Sequence, residues 1–404
     1  MTLYSTTPIA QGPYSRVQVE SFNEADFVQL AKGALSFYGR GIGLTRFTSD
    51  SLLVDIDIMR SRRLKSKLVL RGEADPTITS TFPQGQSERF SSNTRMYPLM
   101  REEGAVSYDQ SLFRVAGETP NQAMDRRTRN MIQVRTENRE ATRSMVREME
   151  YLGWQMLLTG KHEAIEGSSV QEYDSQRDSD LIQTITTKWG GGSQDIINDF
   201  DDGCNELRDK GFAGGKYAAI LGGAAMKAFI KDSTNAGYAN NRRYEILAVT
   251  PEKPVPSNMQ WLIEAGFEAF GLVRTYRNRE VWLFTYDQVW ETDAGVLTEY
   301  MPLKDVLLFD PDARCDRYFG PPGHYPMTAQ EEELIYRQML GIDPNIAAEA
   351  LRNQNLGGAI MPAMFHYDAY MDQARTSIAL RTESAPIFVT VQTDQFYTMK
   401  DVVS

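Results

Sequence analysis

The chain has 404 residues, with 43 Lys and Arg against 54 Asp and Glu, a formal charge of −11. Hydrophobic residues at 41% and charged residues at 24% exclude wholesale disorder, and the length predicts two or three units that each bury a core. The acidic balance argues against a protein that grips duplex nucleic acid by neutralising phosphates, leaving room only for a local basic patch.

Residues 1–46 read as an extended arm, polar around Pro8 and Pro13 and punctuated by Gly39, Gly41 and Gly43. Within it Phe27, Leu30, Ala34 and Phe37 recur at helical spacing and predict a short helix over 23–37. Residues 52–58 and 64–70 alternate like strands. Between Arg71 and Thr94 the chain turns polar, without a helix signal, and returns through a strand-like run at 95–99. So long an excursion is either a disordered insertion or a long two-stranded arm that acts outside its own domain. Arg60, Arg62, Arg63, Lys65, Lys67 and Arg71 have no acids between them. They form either a docking surface for a neighbour's carboxylates or a solvated edge strand that blocks unwanted pairing.

Residues 121–159 carry the strongest pattern. Met124, Met131, Val134, Met145, Met149, Leu152 and Met156 line one helical face, with Pro120 before it and Gly160 after it. The other face mixes arginines, among them Arg126, Arg127 and Arg129, with Glu137, Glu140, Glu148 and Glu150. Such a face is a solvated one or a phosphate-binding one. The helix would be about 58 Å long at 1.5 Å per residue, a spine rather than a coiled coil, because Gly153 breaks the heptads.

Residues 195–260 read as α/β: a helix over 196–210, a strand over 217–221, a helix over 222–230, a strand over 243–249 and a Pro-rich linker at 251–256. Residues 272–276, 280–285, 296–301 and 306–309 predict an antiparallel meander. Residues 310–326 read as loop, 331–340 and 344–352 as helices, and 377–380 and 387–391 as late strands.

No residue set has the spacing of a catalytic or metal centre. His162, His324 and His366 stand alone. Cys204 lies among Asp201, Asp202 and Glu206, which disfavours a thiolate. The Gly214–Gly215–Lys216 run lacks the upstream glycine and the following Ser or Thr of a phosphate loop, and Gly222–Gly223 reads as a strand-to-helix turn. Asp199, Asp201 and Asp202 suit a hard cation or the acidic first turn of a helix. Two cysteines make no disulfide framework. Residues 1–20 lack a secretory pattern, and no apolar run is long enough to span a bilayer. The expectation is a protein made in a cytoplasm, used there or in a particle assembled there.

Three stretches in this order resemble the major capsid proteins of tailed bacteriophages, an α+β class with the Hong Kong 97 fold, and among them the family of the lambda major head protein. They are Pro120 with Asp125–Arg129 through Leu158–Lys161, then Pro302–Phe309, then Glu383–Val389. The resemblance implies a map. Residues 1–46 form the N-terminal arm and 47–105 an extended loop lying on a neighbouring subunit. Residues 106–190 and 261–310 form a peripheral domain around the spine helix, 191–260 and 311–385 an axial domain, and 386–404 a C-terminal strand and tail. It also implies a non-enzymatic shell protein of the virion, assembled in the host bacterial cytoplasm as hexamers and pentamers. The implied partners are a scaffold protein, a portal, a decoration protein and weakly contacted double-stranded DNA, with no cofactor, metal or membrane. Arg60, Arg62, Arg63, Lys65, Lys67, Arg71, Arg126, Arg127 and Arg129 are the expected inter-subunit contacts. The competing readings are an encapsulin-type shell that houses enzyme cargo and a cytoplasmic enzyme with a non-local site.

Overall fold

The computed structural model describes residues 5–7, 19–21, 32–39, 45–47, 53–58, 84–89, 93–98, 143–166, 169–190, 194–211, 213–232, 244–245, 255–292, 295–320, 366–371 and 378–403. In the arm, β1 (Ser5–Thr7) pairs with β2 (Val19–Ser21), followed by α1 (Ala34–Gly39) and β3 (Thr45–Phe47). The next segment holds β4 (Leu53–Ile58), β5 (Gln84–Arg89) and β6 (Asn93–Pro98). The long helix α2, described over 143–159, leads into the hairpin β7 (Lys161–Glu166) and β8 (Ser169–Asp174). Then come β9 (Ile182–Thr184), α3 (Ile196–Lys210), β10 (Lys216–Leu221), α4 (Gly223–Lys231) and β11 (Tyr244–Glu245). A short α5 (Gln260–Glu264) precedes β12 (Glu268–Arg274), β13 (Glu280–Thr285), β14 (Val289–Glu291), β15 (Leu297–Glu299) and β16 (Val306–Phe309). Late in the chain are β17 (Cys315–Phe319), β18 (His366–Met371), β19 (Ile378–Ser384), β20 (Pro386–Thr390) and β21 (Phe396–Lys400).

A seven-stranded mixed sheet in the order β11-β12-β13-β10-β16-β21-β9 organises the body. Its central strands are apolar on both faces because both faces are covered. Tyr217, Ala219 and Leu221 of β10, Val281 and Leu283 of β13, and Val306 and Leu308 of β16 pack with α3 and α4. The alternate residues Ala218, Ile220, Trp282, Phe284, Leu307 and Phe309 face a second core built from α1, α2, α5, β17 and β20. A period of two thus divides each strand between two cores. Met145, Met149 and Met156 of α2 are buried as the stripe predicted, and Arg143 and Arg147 are exposed.

The helix over 196–210, the strands over 280–285 and 306–309, and the end of the spine helix at Gly160 match the sequence reading. Other expectations change. In the arm a helix runs Ala34–Gly39 after a left-handed turn at Gly33 with φ 50°, and residues 23–31 of the expected helix lie outside the described residues. The predicted meander is interrupted: β10 pairs parallel with β13 and antiparallel with β16, so it lies between them. β10 suits that central place, its buried residues being apolar towards both cores. The sheet therefore runs across the expected boundary between 191–260 and 261–310. β15 leaves the sheet and forms a separate hairpin with β14.

Residues 310–326 were expected to be loop, yet Cys315–Phe319 is a wholly buried strand. Its central Asp316 and Arg317 hid it. Asp316 is paired with Arg314 at 2.9 Å, and Arg317 donates to the main-chain oxygen of Tyr38. β5 lies inside the polar excursion and pairs with β4. The returning strand β6 pairs instead with β19, nearly three hundred residues later in the chain. The predicted strand at 64–70, the first part of the spine helix at 121–142 and the helices at 331–340 and 344–352 lie outside the described residues. Among the described residues no helix is long and apolar enough to cross a membrane.

Candidate functional site

Among the described residues a dense long-range polar contact joins the arm to the spine. Gly33 turns the chain into α1, and its N–H donates to the Ala265 oxygen at 3.0 Å. The first N–H groups of α1 have no partner within the helix. Glu150 of α2 supplies one. Its Oε1 accepts from Ala34 N at 2.9 Å and its Oε2 from Leu35 N at 3.2 Å. The same Oε1 accepts from Trp154 Nε1 and Tyr286 Oη, each at 3.0 Å. Glu150 is 5% exposed, and burial pushes its carboxyl up to about 7 against the pull of these four donors. A Cβ on Gly33 would lie 2.0 Å from Glu150 Oε1, so side chain and turn require each other.

The apolar side of α1 enters the core beside the sheet. The Phe37 ring meets Trp261 edge-on at 4.9 Å and Phe309 at 5.0 Å, and Tyr38 lies 4.9 Å from Phe388. β3 continues the attachment by pairing parallel with β17. At the far end of α2, Arg177 donates to the oxygens of Leu157 at 2.8 Å and Met156 at 3.1 Å. It thereby caps the last turn of α2, where Met156 O also accepts from Gly160 N at 2.9 Å, with its guanidinium 5.5 Å from the centre of the Phe396 ring. Burial lowers its pKa to about 10, so it remains a cation at neutral pH. Arm, spine and sheet are thus held by two buried charged groups that bond mainly to backbone.

The residues considered for chemistry are occupied by structure. Cys204 and Cys315 are buried, and burial pushes the Cys204 thiol up to about 12 and the Cys315 thiol further. Neither thiol should react with iodoacetamide in the folded subunit at pH 7.5, and both should react in denaturant. Mass spectrometry reads this directly, and native labelling would contradict the packing. His162 is buried against Tyr173, ring centres 5.3 Å apart, and burial lowers it to about 4, keeping it neutral. His366 opens β18 opposite Glu383, and His324 lies outside the described residues.

The glycine turn before α4 holds no room for a phosphate. Gly222 N–H donates to Asp305 O, and Ala224 and Ala225 N–H donate to Leu303 O, all at 3.0 Å. The Gly214 N–H is taken by Asp310 Oδ2 at 3.1 Å. The acidic run opens α3 rather than converging. Asp195 caps the helix through Asn198 N at 3.1 Å, Asp199 accepts from Trp189 Nε1 at 2.7 Å, and Asp201 faces Arg277 at 3.4 Å. Among the described residues no three His, Cys, Asp or Glu side chains are placed to hold a metal ion.

No family model and no curated protein matches the chain. Among solved structures it is similar to a candidate capsid protein of a prophage of Escherichia coli CFT073. That likeness has a TM-score of 0.50 at 15% identity and covers 80% of each chain. A phage-related protein of Bordetella bronchiseptica RB50 gives a TM-score of 0.41 at 10% identity, over 93% of this chain and 95% of its own. A chain of the satellite phage P4 procapsid gives 0.38 at 9% identity, over 94% and 98%. The fold is that of the Hong Kong 97-type capsid proteins.

Within that capsid fold, the basic residues read from the sequence as contacts (Arg60, Arg62, Arg63, Lys65, Lys67, Arg71, Arg126, Arg127 and Arg129) lie outside the described residues. The described surface offers an apolar and acidic face on the β14–β15 hairpin. Trp290 packs against Tyr151 of α2 with ring centres 5.1 Å apart. The opposite face carries Val289 and Leu297, 45% and 68% exposed, cross-strand from Glu299 and Glu291. Sequence reasoning missed this face, since the strand at 296–301 was read as part of the meander. It also missed Glu150, which in sequence is one more acid on a charged helix. A Trp four residues on was the available hint.

Proposed function

We propose that the chain is the major capsid protein of a tailed bacteriophage, assembling through copies of itself into an icosahedral shell that holds double-stranded DNA. The observation that carries this is the fold shared with the prophage protein over four-fifths of both chains. A second observation supports assembly. β4 and β5 bond, among the described residues, only to each other, and β5 is the polar run Gln84–Arg89. An isolated two-stranded ribbon is marginal in water, so its order gains from a neighbouring subunit. An acidic subunit also suits a container that must load and release DNA, because strong phosphate binding would retain it.

On this reading the role is structural, in the virion, after assembly in the host cytoplasm with a scaffold, a portal and a decoration protein. The segment 47–105 reaches a neighbour, and Arg60, Arg62, Arg63, Lys65, Lys67 and Arg71 meet that neighbour's carboxylates, with Arg126, Arg127 and Arg129 as further contacts. Glu291 and Glu299 on the hairpin face are acidic groups suited to such a run. Residues 106–190 and 261–310 form the peripheral domain, and 191–260 and 311–385 the axial domain.

Electron microscopy of the purified chain, co-expressed with its scaffold, tests the reading. Closed shells or capsomers are expected, and a chain that stays monomeric under every condition overturns it. Shells filled by a co-purifying enzyme instead of DNA would favour the encapsulin-type reading. Replacing 59–83 by a short turn keeps β4 and β5 but removes the basic run. The circular dichroism spectrum should be unchanged and closed shells lost, whereas normal shells would show that the run makes no essential contact.

A further inference from the structure

Among the described residues, the strands of the β14–β15 hairpin pair only with each other. Seven large hydrophobic residues are exposed among the described residues, and three of them, Val289, Val296 and Leu297, lie on this one hairpin. Such clustering marks a contact surface rather than scatter. The main chain agrees. Thr292 N–H donates to Val296 O at 2.9 Å and Tyr300 N–H to Gln288 O at 3.2 Å. The bonded pairs of this antiparallel ladder are therefore Gln288 with Tyr300, Trp290 with Thr298 and Thr292 with Val296. Leu297 and Glu299 turn their N–H and C=O groups away from β14, to an edge that accepts a further strand.

The side chains along that edge specify the strand. Glu299 follows Leu297 by two residues, on the same face. On the other side Glu291, directly across from Leu297, leans to Gly295, its Oε1 3.6 Å from where a Cβ on Gly295 would lie. A strand beside β15 must bring an apolar residue to Leu297 and a cation two positions away on each side. In the 404 residues a branched aliphatic side chain so flanked occurs once: Val69, between Lys67 and Arg71. We infer that the edge of β15 receives residues 67–71 of a second copy of this chain as an added strand, with Val69 beside Leu297.

The match holds in both directions. An antiparallel strand sets Lys67 beside Glu299 and Arg71 beside Gly295 and the Glu291 carboxylate, and a parallel strand exchanges the two cations. Leu68 and Leu70, of the opposite parity, then join the face of Trp290, which packs on α2. A second copy is the source because residues 67–71 belong to the connection beyond Ile58 and Gln84. Those residues end a ribbon that pairs with no further strand of its own subunit among the described residues. The contact presupposes the self-assembling subunit proposed above.

Cysteine trapping in assembled particles tests this. The native Cys204 and Cys315 are buried and take no part. Chains carrying Val69→Cys and chains carrying Leu297→Cys, co-assembled and mildly oxidised, should give a disulfide-linked dimer on a non-reducing gel, and neither chain should do so alone. Thr298→Cys, on the opposite face, should give none with Val69→Cys. Closed shells without the link between 69 and 297, or with a link between two Leu297→Cys chains, overturn the inference and leave the capsid reading intact. A wild-type chain that forms neither shells nor capsomers overturns both. If the cysteine variants do not assemble, charge reversal gives the second reading. Glu291→Lys with Glu299→Lys should lower the yield of shells about tenfold or more, and adding Lys67→Glu with Arg71→Glu should restore it. A failure to restore, with an unchanged circular dichroism spectrum, is equally decisive.

Discussion

Replacing Glu150 by alanine is expected to destabilise the subunit by about 3 kcal/mol at pH 5.5, and by about 2 kcal/mol less at pH 8. Alanine strands Ala34 N, Trp154 Nε1 and Tyr286 Oη where water has little access, while Leu35 N keeps its bond to Lys32 O at 3.0 Å. A buried donor without an acceptor costs about 1–3 kcal/mol, and local relaxation recovers part of the sum. The pH dependence comes from the wild type. Its raised carboxyl, at about 7 in the fold, contributes fully only below 4.5 and loses that contribution as pH rises through 7. Alanine has nothing to lose, so the gap narrows. Urea unfolding of the unassembled chain at the two pH values measures both numbers. A cost under about 0.5 kcal/mol at pH 5.5 would show that the stranded donors find other partners.

The same junction shows what a sequence reveals and what it conceals. Local signals were legible. The run 196–210 reads as a helix, and the structure has that helix, capped by Asp195. The apolar runs 280–285 and 306–309 are strands because each has a core on either side. Long-range pairings were not. Nothing in the neighbourhood of Glu150 shows that it caps a helix 116 residues earlier. Nothing near Tyr217–Leu221 shows that this strand separates β13 from β16. β17 escaped because the polar residues at its centre look like loop until Arg314 and the Tyr38 carbonyl are brought to them. β21 and β9 escaped for a related reason: Thr398 and Thr184 break the apolar pattern, and Thr398 is satisfied by Leu158 O at 2.8 Å, 240 residues away. The order of elements along the chain carried the resemblance, while the partners of each element are set by contacts that no window of sequence contains.

The turn between β10 and α4 is where a glycine pair permits two readings, and where a pair of substitutions separates them. In a phosphate loop both glycines would leave space for a ligand. In a packed turn only the one facing the neighbouring chain matters. A Cβ on Gly222 would lie 2.1 Å from Pro302 O and 2.6 Å from both Leu303 C and Leu303 O, all backbone atoms. A Cβ on Gly223 meets only the flexible end of Leu303, at 3.4 Å. Neither residue needs a left-handed backbone, since Gly222 has φ −65° and Gly223 opens a regular helix. Gly222→Ala must therefore push the 302–305 turn away. That turn holds the end of β16, where Val306 pairs with Leu221, and its carbonyls cap α4. The expected cost is about 3 kcal/mol or more, since backbone cannot yield as a side chain does. Gly223→Ala should instead stabilise by about 0.5 kcal/mol, through the better helix former and a less free unfolded chain. Thermal unfolding of the two variants beside the wild type reads the difference. Equal effects would mean that the close approach of Pro302 is not what keeps glycine at 222, and a loss confined to Gly222→Ala places the constraint in the packing of the central sheet.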